Sequence, residues 1–282
     1  MRSKPRGAVD PTWTGVIPDP EKVRFWEARA SAYDRLCRRW EIFSLLSNRL
    51  IDLLPASLEG PVLDIGAGAG LTSELLLARH PRCRAILIEP SEAMLNIARS
   101  HLVGRPAQFF VMGLDGALAH DLHAAAALAS ASMQFLDLEP AFATLARVIK
   151  PGGHVAFNLW WHHWDDTAER ACMTGWQAVA QNACLEADLP PPQAPASSVP
   201  KVKTRMELMS ASRDHGFQLL SEHCDEYLTP IGFGVDYQAM DPDWPVKGCA
   251  QEDRQVLLTK MHELARGKLE AMVSTRFLFQ RT

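Results

Sequence analysis

Five residues in the first third of the chain could do chemistry together: Asp64, Gly66, Gly68, Gly70 and Glu89. Asp64 closes a short apolar run, Val62-Leu63-Asp64-Ile65. The glycines follow at alternate positions, and Leu71-Thr72-Ser73-Glu74-Leu75-Leu76-Leu77 then reads as the opening of a helix. Apolar run, glycine turn and helix form the first strand-loop-helix unit of a doubly wound sheet. Glycines allow backbone conformations closed to other residues and let a ligand come close. The helix start adds unpaired N–H groups. Glu89 ends a second apolar run, Ala85-Ile86-Leu87-Ile88, 19 residues beyond Gly70 (89 − 70). An acid at the tip of the second strand, roughly 20 residues after the turn, is placed to grip a ribose diol. A carboxylate suits this work because it accepts from two hydroxyls at once.

The spacing separates two kinds of ligand. A dinucleotide fingerprint is G-x-G-x-x-G. Here the third glycine comes one position early, and Leu71 stands where it would be. Asp64 also precedes the first glycine by two residues, giving D-x-G-x-G-x-G, and an acid there would repel a pyrophosphate. This pattern resembles motif I of the class I S-adenosylmethionine-dependent methyltransferases. The segment RVIKPGGHVAFNLW (147–160) is similar to that family's helix, turn and fifth strand. The resemblance covers roughly residues 60–160 and is weak outside them. Within the family the chain is most similar to the small-molecule branch that includes the ubiquinone and menaquinone biosynthesis type.

The resemblance implies a doubly wound, seven-stranded, mostly parallel Rossmann-like sheet whose last strand is antiparallel, under a helical cap. It implies S-adenosyl-L-methionine as cofactor and S-adenosyl-L-homocysteine as product. Gly66, Ala67, Gly68 and Gly70 would curve around the amino acid end of the cofactor, with Asp64 near its ammonium group. Glu89, Pro90 and Met94 would serve the ribose side. Tyr33 in ASAYD (30–34) falls where the family has a Tyr-Asp pair closing over the cofactor. The family's Gly-Asp-Ala after strand three is interrupted here by Leu114, so Asp115 is the candidate acceptor for the adenine amino group and Leu114 a wall. Ser130 sits at the end of the fourth strand, where ligands bind in open α/β sheets.

The elements around these residues follow from pattern. Residues 1–20 carry four prolines (5, 11, 18 and 20) and no periodicity, an arm rather than an element. Apolar residues from Val23 to Leu53 recur at three- and four-residue steps, giving cap helices over 21–55. The core spans 56–160, with strands at 108–112, 124–130 and 154–159 and a helix at 142–149. Alanine's helix propensity argues against a strand in AAAALAS (124–130), but its position argues for one. A cap insertion covers 161–205, with a helix from Thr167 to Leu189 and prolines 190, 191, 192, 195 and 200 stiffening the loop after it. Residues 206–282 complete the sheet with a helix ended by Gly216, a strand at 218–227, an irregular aromatic stretch at 231–248, a helix at 253–272 and a closing strand at 275–280. The lid insertion is about 231–272.

Trp160-Trp161-His162-His163-Trp164-Asp165-Asp166 leaves the fifth strand at the ligand end. Neighbouring residues on a strand point to opposite sides and make a poor tetrahedral set, so no metal is expected. The stretch reads instead as substrate wall. Trp26, Gln134, Trp160, Trp161, Phe233 and Tyr237 are the candidate substrate contacts, and His162 or His163 the candidate general base. The formal net charge of −4 argues against nucleic acid, which needs a basic face. No apolar run approaches the ~18 residues of a membrane span. A basic start with no apolar core behind it, and six scattered cysteines without C-x-x-C, predict a cytoplasmic protein with reduced thiols. The expected partner is a small molecule, and a homodimer is compatible with the pattern. Methyl transfer to a small or medium apolar or aromatic metabolite is the expected activity, oxygen slightly favoured over nitrogen or carbon. Cyclisation or rearrangement on the same fold is the alternative, and a non-catalytic binding subunit a remoter one.

With an oxygen acceptor, replacing the correct histidine of the 162–163 pair by Gln should lower turnover by about a hundredfold or more and remove the acidic limb of the pH–rate profile. If both single variants keep full turnover and an unchanged profile, neither histidine is the base.

Overall fold

A computed structural model describes residues 19–160, 175–193, 202 and 204–282. The first cap helices are α1 (Pro20–Arg39) and α2 (Glu41–Ile51). Then come β1 (Gly60–Ile65), α3 (Leu71–Arg79), β2 (Cys83–Glu89), α4 (Glu92–His101), β3 (Ala107–Val111), α5 (Gly116–Ala119), β4 (Ala124–Ala129), α6 (Leu138–Val148) and β5 (Ile149–Trp160). The C-terminal part holds α7 (Gly175–Glu186), α8 (Arg205–Asp214), β6 (Phe217–Pro230), α9 (Ile231–Gln238), α10 (Gln251–Ala265) and β7 (Leu269–Arg281).

The sheet order is β3-β2-β1-β4-β5-β7-β6. Strands β1 to β5 run parallel, and β7 inserts antiparallel between β5 and β6. This is the seven-stranded doubly wound sheet that the family resemblance implies. All six residues of β4 are buried, because β1 and β5 flank the strand and helices cover both faces. Small side chains at the centre of a covered sheet outweigh alanine's local preference. One face is packed by a core in which Phe157 and Phe279 stack at 5.7 Å and Phe142 meets Phe279 edge-on at 5.7 Å. Leu50, Val62, Leu76, Leu128 and Ala156 lie in the core beneath α2 and α3 on the other. A separate cluster joins the cap helices α1 and α2 to α7, α9 and α10. Among the described residues no helix is long and apolar enough to cross a membrane.

Several boundaries differ from the sequence reading. Lys150-Pro151-Gly152-Gly153 is not a free turn but part of β5, taken up as a register shift opposite Ala124–Ala126. Gly152 has φ +75° there, and a Cβ on Gly153 would come within 2.7 Å of the Ala125 carbonyl. The helix expected at 253–272 ends at Ala265, and β7 begins at Leu269. Gly267 at φ +72° stops the helix, and Met272 and Val273 pair with Tyr227 and Glu226 instead. The first half of the stretch taken as irregular, 231–248, is the helix α9.

The ligand end of the sheet is fixed by side chains from the loop after β4 and from β5. Asn158 is 1% exposed. Its Oδ1 accepts from the Ala131 N–H at 2.8 Å, and its Nδ2 donates to Ser274 Oγ at 3.2 Å. The first bond holds Ala131 at φ +55°, a conformation costly for a residue with a Cβ. Asn158→Ala should therefore lower the free energy of unfolding by about 1–3 kcal/mol. Urea denaturation giving an unchanged midpoint would show that the loop holds itself.

Candidate functional site

Polar backbone groups converge where β1 and β2 end. The Gly66 and Ala67 N–H groups donate to the Ile88 carbonyl at 2.9 and 3.1 Å, so the turn is tied to β2 from its first residue. The three glycines have φ of +63°, +53° and +86°. A Cβ on Gly66 would lie 2.6 Å from Ser132 Cβ, and one on Gly70 would lie 2.9 Å from Ala98 Cβ. Each of these two positions thus lacks both the room and the backbone conformation for a side chain.

Glu89 is 7% exposed. Its Oε2 accepts from the Gly68 N–H at 3.0 Å and its Oε1 from the Ser91 N–H at 2.9 Å. Burial pushes its carboxyl up to about 7, the two N–H bonds oppose that rise, and the negative charges of Asp64 and Glu27 add to it. Each carboxylate oxygen keeps a further lone pair for a ligand donor. Asp64 is buried beneath the turn, where Ser73 Oγ donates to its Oδ2 at 2.6 Å. Burial raises it to about 6, against the opposing pull of Ser73.

In front of this turn lies a cavity of about 260 Å³. Tyr33, Gly66, Gly68, Glu89, Pro90, Met94, Leu114 and Ser130 line it, as does Trp26, which the sequence reading placed on the substrate side. Ala67, Gly70, Asp64 and Asp115 do not line it. Gly70 instead packs on α4, and Asp64 points to Ser73. Asp115 Oδ1 is buried and accepts no hydrogen bond among the described residues, next to the cavity wall at Leu114. The sequence reading missed the cavity residues Asp19, Lys22, Val23, Met112, Gly113, Ala131, Ser132, Phe135 and Leu136. The α1 face is recoverable from spacing, since 19, 22, 23, 26 and 33 fall on one side of a helix. The others belong to loops set by tertiary contacts.

The proposed substrate residues gather in one aromatic cluster, but not all as free walls. Trp26 meets Tyr33 at 5.2 Å, Tyr33 meets Phe43 at 5.8 Å, and Phe43 meets Trp160 at 5.4 Å and Phe233 at 5.5 Å. Phe233 contacts Tyr237 at 6.2 Å. Phe233 and Trp160 are buried within the cap core. Gln134 is also buried, and its Oε1 accepts from the Trp160 N–H at 2.9 Å, so it anchors the end of β5. Tyr33 and Cys37 lie one helical turn apart on α1. Burial raises Tyr33 well above its ordinary value and Cys37 and Tyr237 to about 12. All three are protonated at neutral pH and donate rather than remove protons. Trp161, His162 and His163 lie outside the described residues, so the expected base is not placed. Among the described residues no group of three His, Cys, Asp or Glu side chains is arranged to hold a metal ion.

The strand order, the glycine turn and the acid at the tip of β2 define the class I methyltransferase fold. Residues 62–153 match the methyltransferase domain family. The chain is 33% identical over 99 residues to a malonyl-[acyl-carrier protein] O-methyltransferase of Methylococcus capsulatus, covering 34% of this chain and 36% of that protein. It is 36% identical over 100 residues to a trans-aconitate 2-methyltransferase of an Acidovorax species, covering 35% and 37%. A demethylmenaquinone methyltransferase of Chlamydia pneumoniae is 30% identical over 142 residues, covering 48% and 59%. The matches thus span less than two thirds of these curated relatives. Among solved structures, the cyclopropane synthase MmaA2 of Mycobacterium tuberculosis superposes with a TM-score of 0.59 at 11% identity, over 94% of this chain and 99% of that one. A geranyl diphosphate methyltransferase crystallised with S-adenosylmethionine gives 0.53 at 14% identity, over 95% and 96%. Residues 62–153 are therefore a class I methyltransferase domain, and the seven-stranded fold around them is that of the class.

Two buried carboxyls raised above their unfolded values make stability depend on pH. Asp64 rises from 3.8 to about 6. Below the unfolded value both states carry the proton and nothing is lost. Above about 6 both are ionised and the full burial penalty is present. Stability falls as pH rises through that window. Asp64→Asn cannot ionise, so its thermal midpoint should change less between pH 4 and 7 than that of the parent. Parallel midpoint curves would mean that Asp64 is not raised.

Proposed function

We propose that the protein transfers a methyl group from S-adenosyl-L-methionine to a small or medium, apolar or aromatic acceptor. The observation that carries this reading is the Glu89 carboxylate. It is buried at the tip of β2, held by two backbone N–H groups and directed at a cavity. Its remaining lone pairs suit a ribose diol. At the β3 end, Leu114 walls the cavity, with the Asp115 carboxyl directly behind it. The glycine turn leaves open floor at Gly68, where an added Cβ would meet nothing closer than Tyr33 Cε1 at 3.6 Å. The residues present therefore fit the cofactor, which supplies an electrophilic methyl on its sulfonium when bound. The names of the curated relatives support the transferred group and differ in the acceptor.

The chain's part is to bind and orient. Trp26 and Tyr33 from α1 close one side of the cavity, and the aromatic cluster behind them favours an apolar acceptor and excludes water. Orientation is the larger contribution, because the donor is already reactive. Tyr33, protonated on the cavity wall, can donate to an acceptor oxygen but cannot deprotonate it. An oxygen acceptor thus leaves the proton to His162 or His163, which follow Trp160-Trp161 in the chain. Nitrogen and carbon acceptors need less help.

Titration calorimetry tests the binding half. Both S-adenosylmethionine and S-adenosylhomocysteine should bind at micromolar concentrations, and Glu89→Ala should weaken both by roughly ten- to a hundredfold. Ribose contacts are equal in ground and transition states, so affinity should suffer more than the chemical step. A neutral carboxyl accepts less well than a carboxylate. Affinity should therefore decline as pH falls through about 7, the value to which Glu89 is raised. No heat with either ligand, while NAD binds, would refute the reading.

A further inference from the structure

The cavity has a door. Helix α1 presents Asp19, Lys22, Val23, Trp26 and Tyr33 to it, yet its N-terminal two thirds is thinly anchored. Only Ala30, Leu36 and Cys37 of its 20 residues are buried, and two of these lie near its C-terminal end. That end is also tied by polar bonds. Asp34 pairs with His101 at 3.0 Å and Arg38 with Glu74 at 3.0 Å, and Trp40 Nε1 donates to Asp236 Oδ2 at 2.8 Å. The free end has less. Ala30 packs with Ala69 and Met94, Arg29 reaches Asp241 at 3.1 Å, and Glu27 reaches the start of α4.

Glu27 has two partners there. Its Oε2 accepts from Ser91 Oγ, and its Oε1 accepts from the Ala93 N–H at 3.0 Å. A carboxylate at a helix N-terminus is favoured by the unpaired N–H groups and the dipole. Ser91 is the shared point. Its N–H goes to Glu89 and its hydroxyl to Glu27, while Met94 N–H donates to the same hydroxyl at 3.2 Å. The acid facing the cavity and the acid on the door are therefore held through one residue.

We propose that Glu27 is a positioning residue that latches the N-terminal half of α1 across the cavity through Ser91, and so sets how long a ligand in contact with Glu89 is retained. The ligand assignment rests on the function proposed above, whereas the latch itself does not. Elements with few buried contacts open locally before the fold does, so the polar tie of Glu27 to the start of α4, beside that of Arg29 to Asp241, bears directly on opening. Glu27 is exposed, which keeps the expected effect moderate.

Hydrogen exchange on the ligand-free protein reads the latch directly. In Glu27→Ala, amides of residues 24–33 should exchange about three- to tenfold faster, while those of α3 and of β1 to β5 keep the parent rates. Glu27→Gln keeps one acceptor for the Ala93 N–H and should give a smaller increase. Stopped-flow dissociation of S-adenosylhomocysteine should accelerate in the same order, Ala above Gln above parent, with the association rate little changed. Unchanged exchange over 24–33, or an equal rise across the whole chain, would overturn the latch. If S-adenosylhomocysteine does not bind the parent protein, the proposed function fails, and the exchange pattern alone decides the latch.

Discussion

The Glu89 carboxylate holds the site together. Two turns must meet for the cavity to exist: the glycine turn after β1 and the Pro90-Ser91 step into α4. Each presents a backbone N–H to one oxygen of the same carboxylate, from Gly68 at 3.0 Å and from Ser91 at 2.9 Å. Buried donors need partners, and here one side chain supplies both while keeping lone pairs toward the cavity. Moving either turn would strand an N–H and expose a buried charge. The same bonds that orient the acid also offset part of the cost of burying it, a cost seen in its rise to about 7. The site is thus bought with stability that the sheet must supply elsewhere.

The sheet supplies it through residues whose job is plain in the sequence. Val62 to Ile65, Ala85 to Ile88 and Val155 to Leu159 are apolar runs that become covered strands, and their order fixes where the glycine turn and Glu89 must lie. Those positions were legible because each depends on local chain chemistry. A positive φ needs glycine, and an acid at a strand tip stays next to the turn it serves. Strand β4 was legible only from its place in the order, since its alanines say nothing for themselves. The boundary of β7 was not legible. Met272 and Val273 continue a helical period as readily as a strand, and only pairing with β6 decides between them.

The far side of the cavity shows where local reading runs out. Gln134 follows a strand end in the manner of a binding residue, but its amide oxygen is taken by the Trp160 N–H. Phe233 and Trp160 are aromatic and at the ligand end, yet both are packed against Phe43 inside the cap core. Residue type shows that a side chain can line a pocket. Whether it does depends on what the chain brings opposite, and here that is α2, whose sequence carries no sign of the meeting. Trp26 moved the other way, from expected acceptor wall to the cavity in front of the glycine turn, because α1 packs on α4 rather than over β5.

That crossing has a chemical consequence. With α1 in place, burial raises Tyr33, Cys37 and Tyr237 further above ordinary values that already leave them protonated at neutral pH. The thiol and the two phenols are thereby held still further from becoming anions. In the function proposed above, an anion there would be a nucleophile competing for the methyl group, and a methylated side chain would block the site. Burial that raises a thiol or phenol also silences it as a nucleophile. In the function proposed above, one set of cap contacts would thus serve twice: the rings of Trp26 and Tyr33 wall the cavity, and the dryness behind them keeps Tyr33, Cys37 and Tyr237 from competing for the methyl group.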